Sequence, residues 1–222
     1  MSGTTLRPIA AALLSGSELY REVVLGKLAH ARESISIATA NVKDMHVQVG
    51  GTGPNGAEGG AFVSVLEVLG TLAARGVALR LLHAEYPSRP FRKSFDKQAG
   101  LVAGGLQLRI CPRVHFKAVL VDQAWAYLGS ANLTGAGLGA KGEGRRNFEL
   151  GFVTEDFDVI DRTQALFEAV WSGAECATCQ LYDLCPDPIG PGPKPKRRRR
   201  GATRGKGASA LVELGKARRF GR

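Results

Sequence analysis

The chain has 222 residues, 44% of them hydrophobic and 23% charged, the balance of a globular protein with one substantial core and room for appendages. No apolar run approaches the ~18 to 20 residues that a membrane span requires, and the short run from Ile9 to Leu14 soon meets Glu18, Arg21 and Glu22, a poor secretory signal, so a cytoplasmic protein is expected. The net charge of +10 is uneven: residues 191 to 222 hold twelve Lys and Arg against Glu213 alone, which leaves residues 1 to 190 close to neutral.

In chain order, the spacing of Leu19, Val23, Val24 and Leu28 predicts an amphipathic helix from residue 17, and residues 34 to 38 alternate as a strand. Residues 41 to 60, rich in glycine, read as a long loop. Residues 62 to 74 are predicted helical, Gly76 stops that helix, and residues 77 to 82 form the next strand. Residues 106 to 110 and 114 to 121 continue the sheet, a turn at 122 to 124 leads to a strand at 125 to 128, and residues 159 to 171 make a closing helix after the N-cap candidates Asp156 and Asp158. Such alternation predicts an α/β sandwich with parallel strands.

The last segment opens PIGPGPKPKRRRRGATRGKG, too rich in Pro, Gly and like charge to build a core, and is expected to be a disordered basic tail. It reads either as a solubilising tail or as an electrostatic tether to a polyanion. Nucleic acid is favoured over anionic lipid, because no amphipathic anchor accompanies the charge.

The chemistry concentrates in RVHFKAVLVDQAWAYLGSANLT, residues 113 to 134. On a strand, His115 and Lys117 point to one face. With a hairpin centred near residues 123 and 124, Ser130 is expected opposite Lys117 and Asn132 opposite His115. Imidazole, ammonium, hydroxyl and amide then converge as phosphate-binding donors around a nucleophile. Asp122 reads most economically as a turn residue.

The pattern His115-x-Lys117-x4-Asp122-x6-Gly129-Ser130-x-Asn132 resembles the HKD signature of the phospholipase D superfamily at every specified position. The resemblance, which covers roughly residues 15 to 172, implies an α/β/α sandwich with a mixed, largely parallel sheet. It also implies a catalytic set of His115, Lys117, Asp122, Ser130, Asn132 and Glu149. Asn147-Phe148-Glu149 is similar to the family's Asn-x-Glu segment, expected on a further strand with Asn147 on the substrate and Glu149 orienting the imidazole.

The resemblance further implies a two-histidine reaction, one imidazole attacking phosphorus and a second protonating the leaving oxygen. The chain carries one His-x-Lys; His30, His46 and His83 are followed two places on by Arg32, Gln48 and Glu85. The second half is therefore expected from a two-fold homodimer. The expected activity is metal-independent cleavage of DNA through a phosphohistidine, with no cofactor for catalysis. A lipid phosphodiesterase or phosphatidyltransferase and a non-catalytic nucleic-acid-binding module are the alternatives.

Residues 176 to 186 read CATCQLYDLCP. In a reduced compartment, Cys176, Cys179 and Cys185, with Cys111 far upstream, are more characteristic of metal binding than of disulfides. The spacing is similar to the cysteine-rich element of RecB-type nucleases with a four-iron cluster, in which three clustered cysteines join a distant one, here Cys111; zinc, with Cys111 or a histidine as fourth ligand, is the other candidate. Three regions result: a catalytic domain at 1 to 172, a metal-binding element at 173 to 190 and the tail at 191 to 222.

Overall fold

The computed structural model describes residues 6–50 and 60–193. Nine strands, β1 Ala11–Ser15, β2 Ser34–Thr39, β3 His46–Val49, β4 Ala61–Ser64, β5 Ala78–His83, β6 Leu106–Ile110, β7 Lys117–Val121, β8 Trp125–Gly129 and β9 Leu150–Thr154, alternate with three helices among these residues: α1 Val65–Ala74, α2 Arg89–Phe95 and α3 Phe157–Trp171. A wider helical segment, Leu19–Lys27, precedes β2.

Seven strands form one sheet in the order β1-β9-β8-β7-β2-β5-β6. It is mixed, as expected, but parallel only where β2, β5 and β6 lie side by side. Both crossovers there pass through intervening helices, whereas β7 and β8 are joined by a three-residue turn that only antiparallel strands can use. The remaining neighbours are antiparallel too. The predominantly parallel sheet of the sequence reading is thus corrected to a parallel flank on an antiparallel centre. Strand β1, which the sequence reading passed over, closes the far edge against β9.

Alternation along each strand supplies two apolar faces. Ile35, Ile37, Leu79, Leu81, Val119 and Tyr127 pack under Leu19–Lys27 and α1, while Ala38, Leu82, Leu120 and Ala126 meet Phe167 and Ile160 of α3. Helices on both faces make the expected sandwich. Both faces being covered explains why the central strands read as nearly unbroken apolar runs.

Helix α1 starts three residues later than predicted. Ser64 accepts from Leu66 N at 3.1 Å and its own N–H donates to Glu67 at 3.3 Å, a reciprocal cap that fixes the start. Residues 61 to 64 instead form β4, paired with β3, so the segment taken as one long loop contains a strand. Helix α2 and the segment Leu101–Gly105 carry no strong apolar period and were not anticipated. Asp156, of the two cap candidates, caps α3 by accepting from Val159 N at 3.1 Å. Among the described residues no helix is long and apolar enough to cross a membrane. The basic tail from residue 194 and residues 51 to 59 lie outside the described residues.

Candidate active site

The carboxyl ends of β2, β5 and β6 share one edge of the sheet, and antiparallel β7 enters from that edge. His115 lies there, exposed, in the connection ahead of β7, and Lys117 is the first residue of the strand. The strand expected from 114 therefore starts at 117. Lys117 Nζ donates to the His115 carbonyl at 2.7 Å and stands 3.3 Å from His115 Nδ1. An ammonium can only donate, so this contact leaves the imidazole proton on Nε2.

The hairpin register differs by one residue from the expected one. Asp122 and Gln123 both adopt φ 53, and Ala124 N donates to Val121 O at 3.1 Å. This tight turn pairs Val121 with Trp125 and Lys117 with Gly129. Ser130 consequently falls one residue beyond the partner of Lys117. Its hydroxyl donates to the Glu149 carboxylate and accepts from Leu150 N at 3.1 Å, while Asn147 Nδ2 donates to Glu149 Oε1 at 3.0 Å.

Ser130, Asn147 and Glu149 thus form one polar cluster, and within the chain Glu149 bonds these two rather than the His115 imidazole. Asn147 and Glu149 precede β9 instead of lying in it, and Phe148 between them is fully exposed.

Asn132 is anchored more deeply than a simple phosphate donor. Its Oδ1 accepts from Ala40 N at 3.1 Å, Asn41 N at 3.2 Å and Thr39 Oγ1 at 3.2 Å, clamping the exit of β2. Thr39 also accepts from Leu133 N at 3.0 Å. Asp122 sits at the opposite end of β7 from His115. Its carboxylate accepts N–H bonds from Arg32 at 3.0 Å, Glu33 at 2.8 Å and Ser34 at 2.9 Å. Burial alone would raise its pKa, but the three backbone donors outweigh that and hold it below the usual carboxylate range. Asp122 therefore latches the start of β2 to the hairpin, and its carboxylate bonds residues 32 to 34 at the end of β7 away from His115.

Gly129 has a packing reason. A Cβ there would meet the Tyr127 hydroxyl and come within 2.7 Å of Gly151 Cα, because β8 and β9 pass closely over the Tyr127 ring. Tyr127 is 1% exposed, accepts from Ala131 N at 3.3 Å, and burial pushes its phenol up to about 12. Thr39 and Tyr127 were not singled out from the sequence, where they read as ordinary strand residues.

A family model described as "Cardiolipin synthase, PLD-like domain" matches residues 24–171. The chain belongs to the phospholipase D-like family. It is 32% identical over 169 residues to the 5'-3' exonuclease PLD3 of Homo sapiens, covering 71% of this chain and 31% of that relative's length. The fold is similar to that of Nuc, a phospholipase D family member from Salmonella typhimurium, with TM-score 0.50, 18% identity and coverage of 73% and 95% of the two chains. NucT from Helicobacter pylori gives TM-score 0.51, 14% identity and coverage of 74% and 96%.

Beside this phospholipase D-like site, Cys111, Cys176, Cys179 and Cys185 are all free thiols that rim one cavity of about 290 Å³. Among the described residues no group of three or more His, Cys, Asp or Glu is already arranged to hold a metal ion. The cavity wall includes Val114 and Phe116, the two neighbours of His115.

Proposed function

We propose that the chain is a phosphodiesterase that cleaves DNA without a catalytic metal, through a phosphohistidine shared between two protomers. The observation that carries this reading is the gathering of His115, Lys117, Ser130, Asn132, Asn147 and Glu149 on one edge of the sheet, with His115 exposed.

In the reaction, His115 of one protomer attacks phosphorus and His115 of the other protonates the departing oxygen, then activates water. The two imidazoles need opposite protonation at Nε2. A carboxylate accepting from Nδ1–H frees Nε2 for attack in the nucleophile and supports the imidazolium that serves as the acid. Glu149 would supply that carboxylate once the dimer rearranges its cluster. Lys117, Ser130 and the Nδ2 groups of Asn132 and Asn147 stabilise the negative charge that develops on the phosphorane oxygens.

Two further features support the reading. Phe148, fully exposed beside Glu149, together with Leu150, 55% exposed, offers an apolar patch at the same edge for a second copy. The relative that is 32% identical bears the name of an exonuclease. The basic tail adds a sequence-independent affinity for phosphate. The family model's description names cardiolipin synthase, which keeps a phosphatidyl substrate as the second reading.

The test is cleavage of a labelled plasmid and a single-stranded oligonucleotide by the full chain in EDTA. His115→Ala is expected to abolish it. Mixing wild type with His115→Ala should reduce activity as the square of the wild-type fraction if both imidazoles serve one phosphate, and linearly if each chain works alone. Binding without cleavage by the wild type sinks the nuclease reading, and turnover of phosphatidylglycerol instead establishes the lipid one.

A further inference from the structure

The four free thiols form a set of reactive side chains apart from the HKD edge. Cys176, Cys179 and Cys185 lie close in sequence, but Cys111 reaches them from far upstream, at the end of β6. The fold brings all four to one cavity. We infer that Cys111, Cys176, Cys179 and Cys185 ligate a metal centre, zinc or an iron–sulfur cluster, that staples residues 173 to 190 to the connection carrying His115.

The segment's own construction calls for such a staple. Its regular structure consists of two single turns, Cys176–Thr178 and Tyr182–Leu184, closed by Cys179 N to Cys176 O at 3.2 Å and Cys185 N to Tyr182 O at 3.1 Å. Leu184 is 79% exposed, so little apolar area is buried to offset the entropy of ordering the chain. Polar links to the body come from Asp187, which accepts from Ile110 N at 3.3 Å and Arg109 at 3.4 Å. Four metal–sulfur bonds would add a cross-link between this segment and β6.

The donor chemistry is selective. Four soft thiols favour zinc or iron–sulfur over hard cations, and Arg113 in the same cavity wall offsets the negative charge of a four-thiolate centre. With zinc, each S–H bond is replaced by a metal–sulfur bond and the proton goes to solvent; a preassembled cluster would exchange its labile ligands for the same four sulfurs.

No three donors are pre-gathered at ion-binding distance among the described residues. The four sulfurs must therefore draw together as the metal binds. Two short turns on a lightly packed segment provide the freedom to close.

The experiment is metal analysis of the full chain, expressed without a polyhistidine tag in medium containing zinc and iron and purified both with and without oxygen. The expected result is about one zinc, or about four irons with visible cluster absorption, per chain. Cys111→Ser and Cys179→Ser should each lose most of that metal, while Leu184→Ser on the same segment keeps it. If a cysteine variant fails to fold, the wild type still decides, because removal by a thiophilic chelator should lower its melting temperature and re-addition restore it. Metal-free protein from both preparations overturns the inference. So does metal content unchanged in both cysteine variants, or a native disulfide from Cys111 to one of the other three.

Discussion

Asn132 illustrates how a motif residue serves the fold before it serves a substrate. Its side-chain oxygen takes three donors at the exit of β2. Asn132→Ala should therefore cost about 1–3 kcal/mol in denaturant unfolding, the cost of leaving buried donors without their acceptor. Full stability with lost cleavage would assign Asn132 to the phosphate alone. Gly129 offers a cleaner separation, since it carries no reactive group. A methyl group there collides with Gly151 and the Tyr127 hydroxyl, so Gly129→Ala is expected to destabilise by about 1–3 kcal/mol. The Tyr127 phenol should not ionise in an ultraviolet titration until pH nears its value of about 12, unless the sheet opens first.

At the scale of elements, α3 is held at both ends by charge. Its cap, Asp156, is drawn down to about 2, first by its hydrogen bond from Arg7, which also ties the chain ahead of β1 to the helix start. A depressed carboxylate contributes stability above its unfolded value of about 4, and that contribution is lost as pH falls through about 2. Asp156→Asn keeps a capping oxygen but removes the charge, so its melting temperature should depend less on pH over that window.

Near the other end, Arg80 donates to Ser36 at 3.2 Å, pairs with Glu168 at 2.7 Å, and lies 5.0 Å from the Phe167 ring centroid and 5.5 Å from that of Trp171. A planar guanidinium can do all of this at once and an ammonium cannot. Arg80→Lys is expected to lower stability by about 1 kcal/mol, read from the denaturation midpoint.

The whole molecule should also be sensitive to mild acid. His83, at the carboxyl end of β5, is 1% exposed, and burial pushes its imidazole below the ordinary value although the Glu85 carbonyl and Asp187 work against the shift. Nδ1 donates to Glu85 O at 2.5 Å, and Nε2 is buried without a protein partner among the described residues. The unfolded chain takes up the proton first. Stability is therefore complete above pH ~6.5 and declines as pH falls through the lower folded value. Denaturant midpoints between pH 8 and 5 would show the slope, and His83→Gln should flatten it. At the same scale, Phe148→Asp should shift the proposed dimer towards monomer in sedimentation while leaving the monomer's melting temperature nearly unchanged, because Phe148 is fully exposed within the chain.

Much of this was legible in the amino-acid order because it depends on local period and on residue chemistry. The strands expected at 34 to 38, 77 to 82 and 106 to 110 and the closing helix could be read from spacing, and the HKD residues from their resemblance to a family pattern. Period-two and helical patterns are written within a few residues of themselves. What the tertiary structure decided concerns relations between distant segments. The left-handed conformations of Asp122 and Gln123 set a register one residue away from the expected pairing, and Asp122 became a latch for residues 32 to 34. The parallel flank, the placing of Glu149 on Ser130, the clamp of Asn132 on β2 and the meeting of Cys111 with the late cysteines all join residues far apart in the chain. Spacing along a chain specifies which side chains share a face, but only packing of the sheet against its helices determines which faces meet.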